Sequence, residues 1–215
     1  MVNGSTLALG VAGGLALLAT ARRRPVKAGS RSRLEEAEDA RSEAELAALS
    51  FRDATRRLPP LPLALLDSGS DAYVFDTTNP DVVVRVASRG NEDAVARQEL
   101  LSDEDFSGGV VKILFAAATE DSIVTWKERL NPNVAGFIVK RYAQEPAKAE
   151  DLQVALLGLA GLGHQRLRER AETLSSFPET AGLARALLAG MPAGDLDLDH
   201  NLGVTKDGRI VAYDL

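Results

Sequence analysis

The chain has 215 residues, 45% hydrophobic and 26% charged, which supplies a core of ordinary domain size. Net charge is -6 and there is no cysteine, which excludes disulfides, thiolate zinc sites and thiol nucleophiles. Six of the 25 Lys and Arg residues (Arg22, Arg23, Arg24, Lys27, Arg31 and Arg33) cluster near the N-terminus; the remaining 19 face 31 acids, so no nucleic acid is expected on the acidic body.

Ser5 to Ala21 carries no charge. As a helix it would span about 25 Å, just short of a hydrocarbon core of about 30 Å. MVNGST lacks the positive region of a cleaved secretory signal, and the basic cluster follows the apolar run. The positive-inside rule then predicts an anchor with its N-terminus out and a cytoplasmic body. The alternative is an assembly contact, since glycine and alanine faces suit tight helix packing. Self-association into a homo-oligomer, or a structural role in a particle such as a phage virion, follows from that alternative.

Four segments are expected: 1–24, an apolar helix with a basic flank; 25–61, a basic linker and charged helix; 62–130, mostly strands; and 131–215, mostly helices. Leu34 to about Arg57 is predicted helical, with Leu46, Leu49 and Ala54 among its apolar positions, and Pro59, Pro60 and Pro62 stop it. Leu63 to Phe75, Val82 to Ala87, Val110 to Ala117 and Ser122 to Trp126 are short apolar or β-branched runs that read as strands. Asn91 to Leu101 interrupts them as a helix, capped by Asn91. Ala147 to about Thr173 and Pro178 to Leu188 have helical spacing. Lys206-Asp207-Gly208 turns a hairpin between Asn201–Thr205 and Arg209–Tyr213. Segregated strands and helices predict an α+β fold.

Gly194-Asp195-Leu196, then Asn201, a hairpin and Asp214, resembles the catalytic segment of the protein-kinase-like superfamily, in the Gly-Asp-Leu form of its aminoglycoside phosphotransferase branch. The resemblance covers about residues 62–215. It implies an antiparallel N-lobe sheet with one helix, then a reduced helical C-lobe ending in a β-hairpin. It implies ATP and Mg²⁺ as cofactors if the protein is active, with Asn201 and Asp214 as metal ligands. Asp195 or Asp197 would orient the acceptor hydroxyl. The family places Asn five residues after that Asp; here Asp195 precedes Asn201 by six and Asp197 by four. The implied phosphate loop runs from Leu66 to Phe75, with Gly69 and Ser70 at its turn and only one of the usual three glycines. Arg85, in Val82 to Ala87, stands where the family has Lys. Glu99 is its implied ion-pair partner, with Glu92 and Glu104 as fallbacks. Ser122 to Leu130 would be the adenine-binding hinge, and Trp126 reads as core or interface.

The chain carries one residue beyond Asp214, where the family continues with an activation segment, so substrate binding is expected to need another chain or to be missing. A non-catalytic module tethered to a membrane or larger assembly is expected ahead of an active phosphotransferase. Alternating Asp195, Asp197 and Asp199 also invite a calcium-loop reading, but His200 and Lys206 stand where an EF-hand needs Gly and Glu. With two histidines and no cysteine, a transition-metal site is not expected.

Overall fold

The computed structural model describes residues 32–69, 72–88 and 103–213, which form an α+β protein. The expected helices at 5–21 and 91–101 lie outside these residues. The chain divides into two compact units, residues 1–96 with 113–128, and residues 97–112 with 129–215.

The first unit is a helix on a sheet. Helix α1 (Arg33–Thr55) starts with a reciprocal capping box: Glu35 N–H donates to Ser32 Oγ, and Ser32 N–H to the Glu35 carboxylate. Arg56, left-handed at φ 59°, ends it. Strands β1 (Pro62–Ser68), β2 (Ala72–Thr77), β3 (Val82–Ser88), β4 (Ile113–Ala118) and β5 (Ser122–Glu128) form an antiparallel sheet in the order β1-β2-β3-β5-β4. The run from Leu63 to Phe75 is thus two strands with Gly69 between them, as a loop at that glycine requires. α1 lays Ala40, Ala44, Ala47 and Ala48 on Phe75, Val82, Val84, Val86, Val124 and Trp126. Methyl side chains bring helix and sheet close together and leave room for Trp126, which is fully buried and donates its indole N–H to Pro60 O at 2.8 Å. Leu46 and Leu49, apolar in sequence, are on the exposed side of the helix.

Among its described residues the second unit holds four α-helices, α2 (Val134–Arg141), α3 (Pro146–Leu156), α4 (His164–Leu174) and α5 (Ala181–Leu188), and the hairpin β6 (Leu202–Val204) with β7 (Ile210–Ala212). The long predicted helix over 147–173 is two helices. Leu157 leaves the helical region, Gly158 has a φ of +65°, and the chain restarts at Gly163. α2 is not predicted from the sequence; the Asn133 side chain caps it by accepting from Gly136 N–H at 2.8 Å. Val110 pairs in parallel with Ala212, and Asn131 antiparallel with Val204, which extends the hairpin on both sides. The 108–110 segment also rests on α5, where a Cβ at Gly182 would lie 1.9 Å from Gly108 O. Leu152, Leu156, Leu159, Leu174, Leu183, Met191, Leu196 and Ile210 are fully buried.

Candidate functional site

The loop before the hairpin follows a two-residue alternation. Leu196 and Leu198 are buried, while Asp195 and Asp199 are exposed and Asp197 is half-buried. The leucines fix the loop: Ala160 N–H donates to Leu196 O at 2.9 Å, and Leu196 N–H to Ala193 O at 2.6 Å. The alternating acids are therefore the outward side of a strand-like anchor. Among the described residues no group of three acidic or histidine side chains is arranged to hold a metal ion.

The two candidate catalytic acids occupy different settings. Asp197 Oδ1 accepts from Gly158 N–H at 3.0 Å and from Leu198 N–H at 2.6 Å, and its backbone pairs with His200 in both directions. It ties the turn after α3 to this loop. Asp195 follows Gly194, at φ +36°, on the exposed side of the turn.

Asn201 has a left-handed backbone, φ 60°, and enters β6 directly. Its carbonyl accepts from Tyr213 N–H at 3.0 Å, closing the base of the hairpin. At the tip Gly208, φ +84°, donates to Thr205 O at 3.0 Å, and Arg209 Nε donates to Asp207 Oδ2 at 2.8 Å. Hydrogen bonds from Arg209 and Thr205 hold the Asp207 carboxyl below its ordinary pKa. Asp214 lies outside the described residues.

In the first unit, Gly69 closes the β1–β2 connection, its N–H donating to Ala72 O at 3.0 Å. A Cβ there would meet nothing closer than that oxygen at 3.9 Å, so packing does not demand glycine. Ser70 lies outside the described residues, as do Glu92 and Glu99. Glu104 begins a short 3-10 turn, Glu104–Phe106. Arg85 is half-buried at the middle of β3, opposite Val74 and Thr125, and takes part in further interactions within the chain.

One buried acid was not singled out from the sequence. Glu179 is 5% exposed and accepts from Arg141 Nε at 2.8 Å and Tyr142 Oη at 2.9 Å. Burial raises its pKa, but hydrogen bonds from Arg141, the backbone and Tyr142 outweigh that and hold it below the ordinary value. Burial, then the bond to Glu179, pushes the Tyr142 phenol up to about 12. With every oxygen-bound donor fixed, the cluster fastens the end of α2 to the turn before α5. In sequence Glu179 reads as an ordinary acid after Pro178.

His164 and His200 are both exposed. Among the described residues no helix is long and apolar enough to cross a membrane. Comparison with protein-family models and with curated protein sequences finds no match.

Proposed function

We propose that this chain is a kinase-like module that binds a nucleotide with Mg²⁺ and does not transfer phosphate, tethered through residues 5–21 to a membrane or a larger assembly. The Asn201–Tyr213 hydrogen bond carries the reading. Asp214 follows Tyr213 directly, so an amide oxygen and a carboxylate sit in sequence at the two ends of one closed hairpin. That donor set suits a hard cation that keeps several waters, as Mg²⁺ does. Arg85 would supply positive charge to phosphate, with a longer and forked side chain in place of a Lys. Gly69 leaves space on its Cβ side where phosphate would approach, although its own N–H is taken by Ala72 O.

Loss of transfer is supported by the acids. Asp197 is committed to backbone N–H groups, and Asp195 is one residue out of the family spacing. The exposure of Asp195 is the observation that favours the second reading, an active phosphotransferase with Asp195 as base.

Thermal unfolding with and without Mg-ATP tests both. A ligand at about 100 times its Kd adds about 2.7 kcal/mol, a readily measured rise in Tm. The rise should appear in the wild type and vanish in Asp214→Ala; Gly69→Ala should fold normally and shrink it. No rise in the wild type removes the nucleotide reading. Release of labelled γ-phosphate that depends on Asp195 would make the protein an enzyme. Membrane fractionation with and without residues 1–24 tests the tether, and equal solubility of both forms without detergent removes the membrane arm.

A further inference from the structure

Strand β1 is an edge of the five-stranded sheet, and it is lined with leucine. Among the described strands it pairs with β2 alone, and every residue from Leu63 to Asp67 is exposed. Five of the twelve exposed large apolar side chains among the described residues fall between 58 and 66: Leu58, Leu61, Leu63, Leu65 and Leu66, from 36% to 51% exposed. No charge interrupts this stretch; Arg56 and Arg57 precede it and Asp67 follows. Open sheet edges are ordinarily guarded by charged side chains, and a contiguous apolar patch on a surface marks a contact.

The strand itself narrows what covers it. It opens with Pro62, and its register against β2 slips twice, between Pro62 and Leu65 and between Leu65 and Asp67. A bulged edge that begins with proline is a poor template for a straight ladder with a second copy. The chain's own residues 5–21 are a better match. They carry no charge, include five leucines and belong to the same unit as β1. Their point of attachment favours them too. Tyr73 Oη donates at 2.8 Å to Glu36 in the first turn of α1, and Tyr73 is the β2 partner of Ser68. The start of α1 therefore lies at the Ser68 end of β1. From there residues 22–31 can reach about 35 Å, against a β1 length of about 23 Å, so residues 5–21 can lie along the whole strand. Charge sets the direction. Running back from α1, Arg22, Arg23 and Arg24 come beside Asp67, and the apolar residues then pass Leu66 towards Leu61; the reverse course would set those arginines against Arg56 and Arg57. Concentration decides against a second copy: a tethered segment is presented at about 1 mM, about a thousandfold above a partner at about 1 μM.

We infer that residues 5–21 dock on the β1 leucines in the free chain, so that the tether is held by the protein's own sheet edge until a membrane or an assembly takes it. The release rests on the tether reading; the docking stands without it.

The chain has no cysteine, so two introduced ones form a unique pair. The full chain with Leu15→Cys and Leu65→Cys is oxidised at about 1 μM and read by non-reducing electrophoresis and peptide mass. It should form an intrachain disulfide at least about tenfold faster than the pair Leu15→Cys with Leu46→Cys, whose second thiol sits on the exposed side of α1. Adding Leu63→Glu and Leu66→Glu to the first pair should slow linkage about tenfold, with Trp126 fluorescence showing that the sheet is folded. Should those glutamates unfold the sheet, Asp67→Lys takes their place and should slow linkage about threefold. Equal rates for the two pairs overturn the inference, as does linkage chiefly between two chains, which makes a second copy the occupant. An intrachain disulfide in a protein that fractionation leaves out of the membrane keeps this inference and removes the membrane arm of the tether. A membrane-bound chain whose two pairs link equally does the reverse.

Discussion

Gly182→Ala should destabilise the second unit, although alanine is the better helix former. Gly182 lies in the first turn of α5, and an added Cβ would sit 1.9 Å from Gly108 O and 2.4 Å from its carbonyl carbon. An ordinary carbon–oxygen contact needs about 3.4 Å or more, so the two segments must part by about 1.5 Å. Gly108 has little freedom to move. Its own φ is +87°, Gly109 O accepts from Ala212 N–H at 2.9 Å, and Val111 N–H donates to Ala212 O at 2.8 Å. Overpacking costs about 1–3 kcal/mol, and the upper end applies where the neighbour is backbone. Straining one of the links to β7 adds about 1 kcal/mol. Helix propensity returns about 1 kcal/mol. The net loss is about 3 kcal/mol, which moves a urea midpoint down by more than about 1 M at a typical slope of about 2 kcal/mol/M. Far-UV circular dichroism follows the helices of both units, whereas fluorescence of the single tryptophan reports the first alone, so the effect is read as a dichroism shift that fluorescence does not share. An unchanged or raised midpoint would refute the close packing of residues 108–110 on α5.

Ala44→Leu, at a fully buried position under the sheet, should cost about 1–3 kcal/mol and bring the unfolding transition seen by Trp126 fluorescence to lower urea. Asn133→Ala removes the α2 cap and should cost about 1 kcal/mol by the same dichroism titration. Because folding lowers the Glu179 pKa, its stabilisation is complete above the ordinary value of 4.5 and is lost as pH falls through the lower folded value. Glu179→Gln should therefore flatten the acid limb of a stability–pH curve, and an unchanged limb would count against the cluster. Tyr142 has the opposite sign: its contribution is complete below pH 10.0 and fades as pH rises towards about 12, so an absorbance titration should show it ionising late, alongside Tyr73, which its hydrogen bond to Glu36 also raises.

Strands and turns were legible because their signals are local. Val82 to Ala87 is β-branched, and Asp207-Gly208 sits between alternating apolar residues, so β3 and the β6–β7 hairpin fall where expected. The face of α1 was not legible. Its leucines draw attention by hydropathy, but the buried face is a run of alanines ending in Phe51, which meets Phe115 of β4 edge-on, and that choice is set by Trp126 and Phe115 on distant strands. α2 escaped because Gly136 and three β-branched residues lower its helix propensity, and the Asn133 cap with burial of Val134 and Ile138 compensates. The candidate site was read from spacing. Spacing picked out Asn201 and the acids around it, but spacing alone could not separate Asp195 from Asp197. The separation comes from Gly158, a residue of another loop whose N–H takes the Asp197 carboxylate.

The division of the chain has a consequence for synthesis. Residues 97–112 belong with the second unit, yet they are translated before β4 and β5, which complete the first. When Glu128 emerges the five-stranded sheet can close, while Val110 must wait about 100 residues for Ala212, its ladder partner, a separation that slows folding. No single cut yields both units whole: a fragment ending at Glu128 holds the first unit with an orphan segment, and one starting at Arg129 lacks the glycines that α5 packs against. Truncation at any one boundary would therefore leave one of the two units without part of its core, and because the units alternate twice along the chain, isolating either one needs an internal deletion rather than a cut.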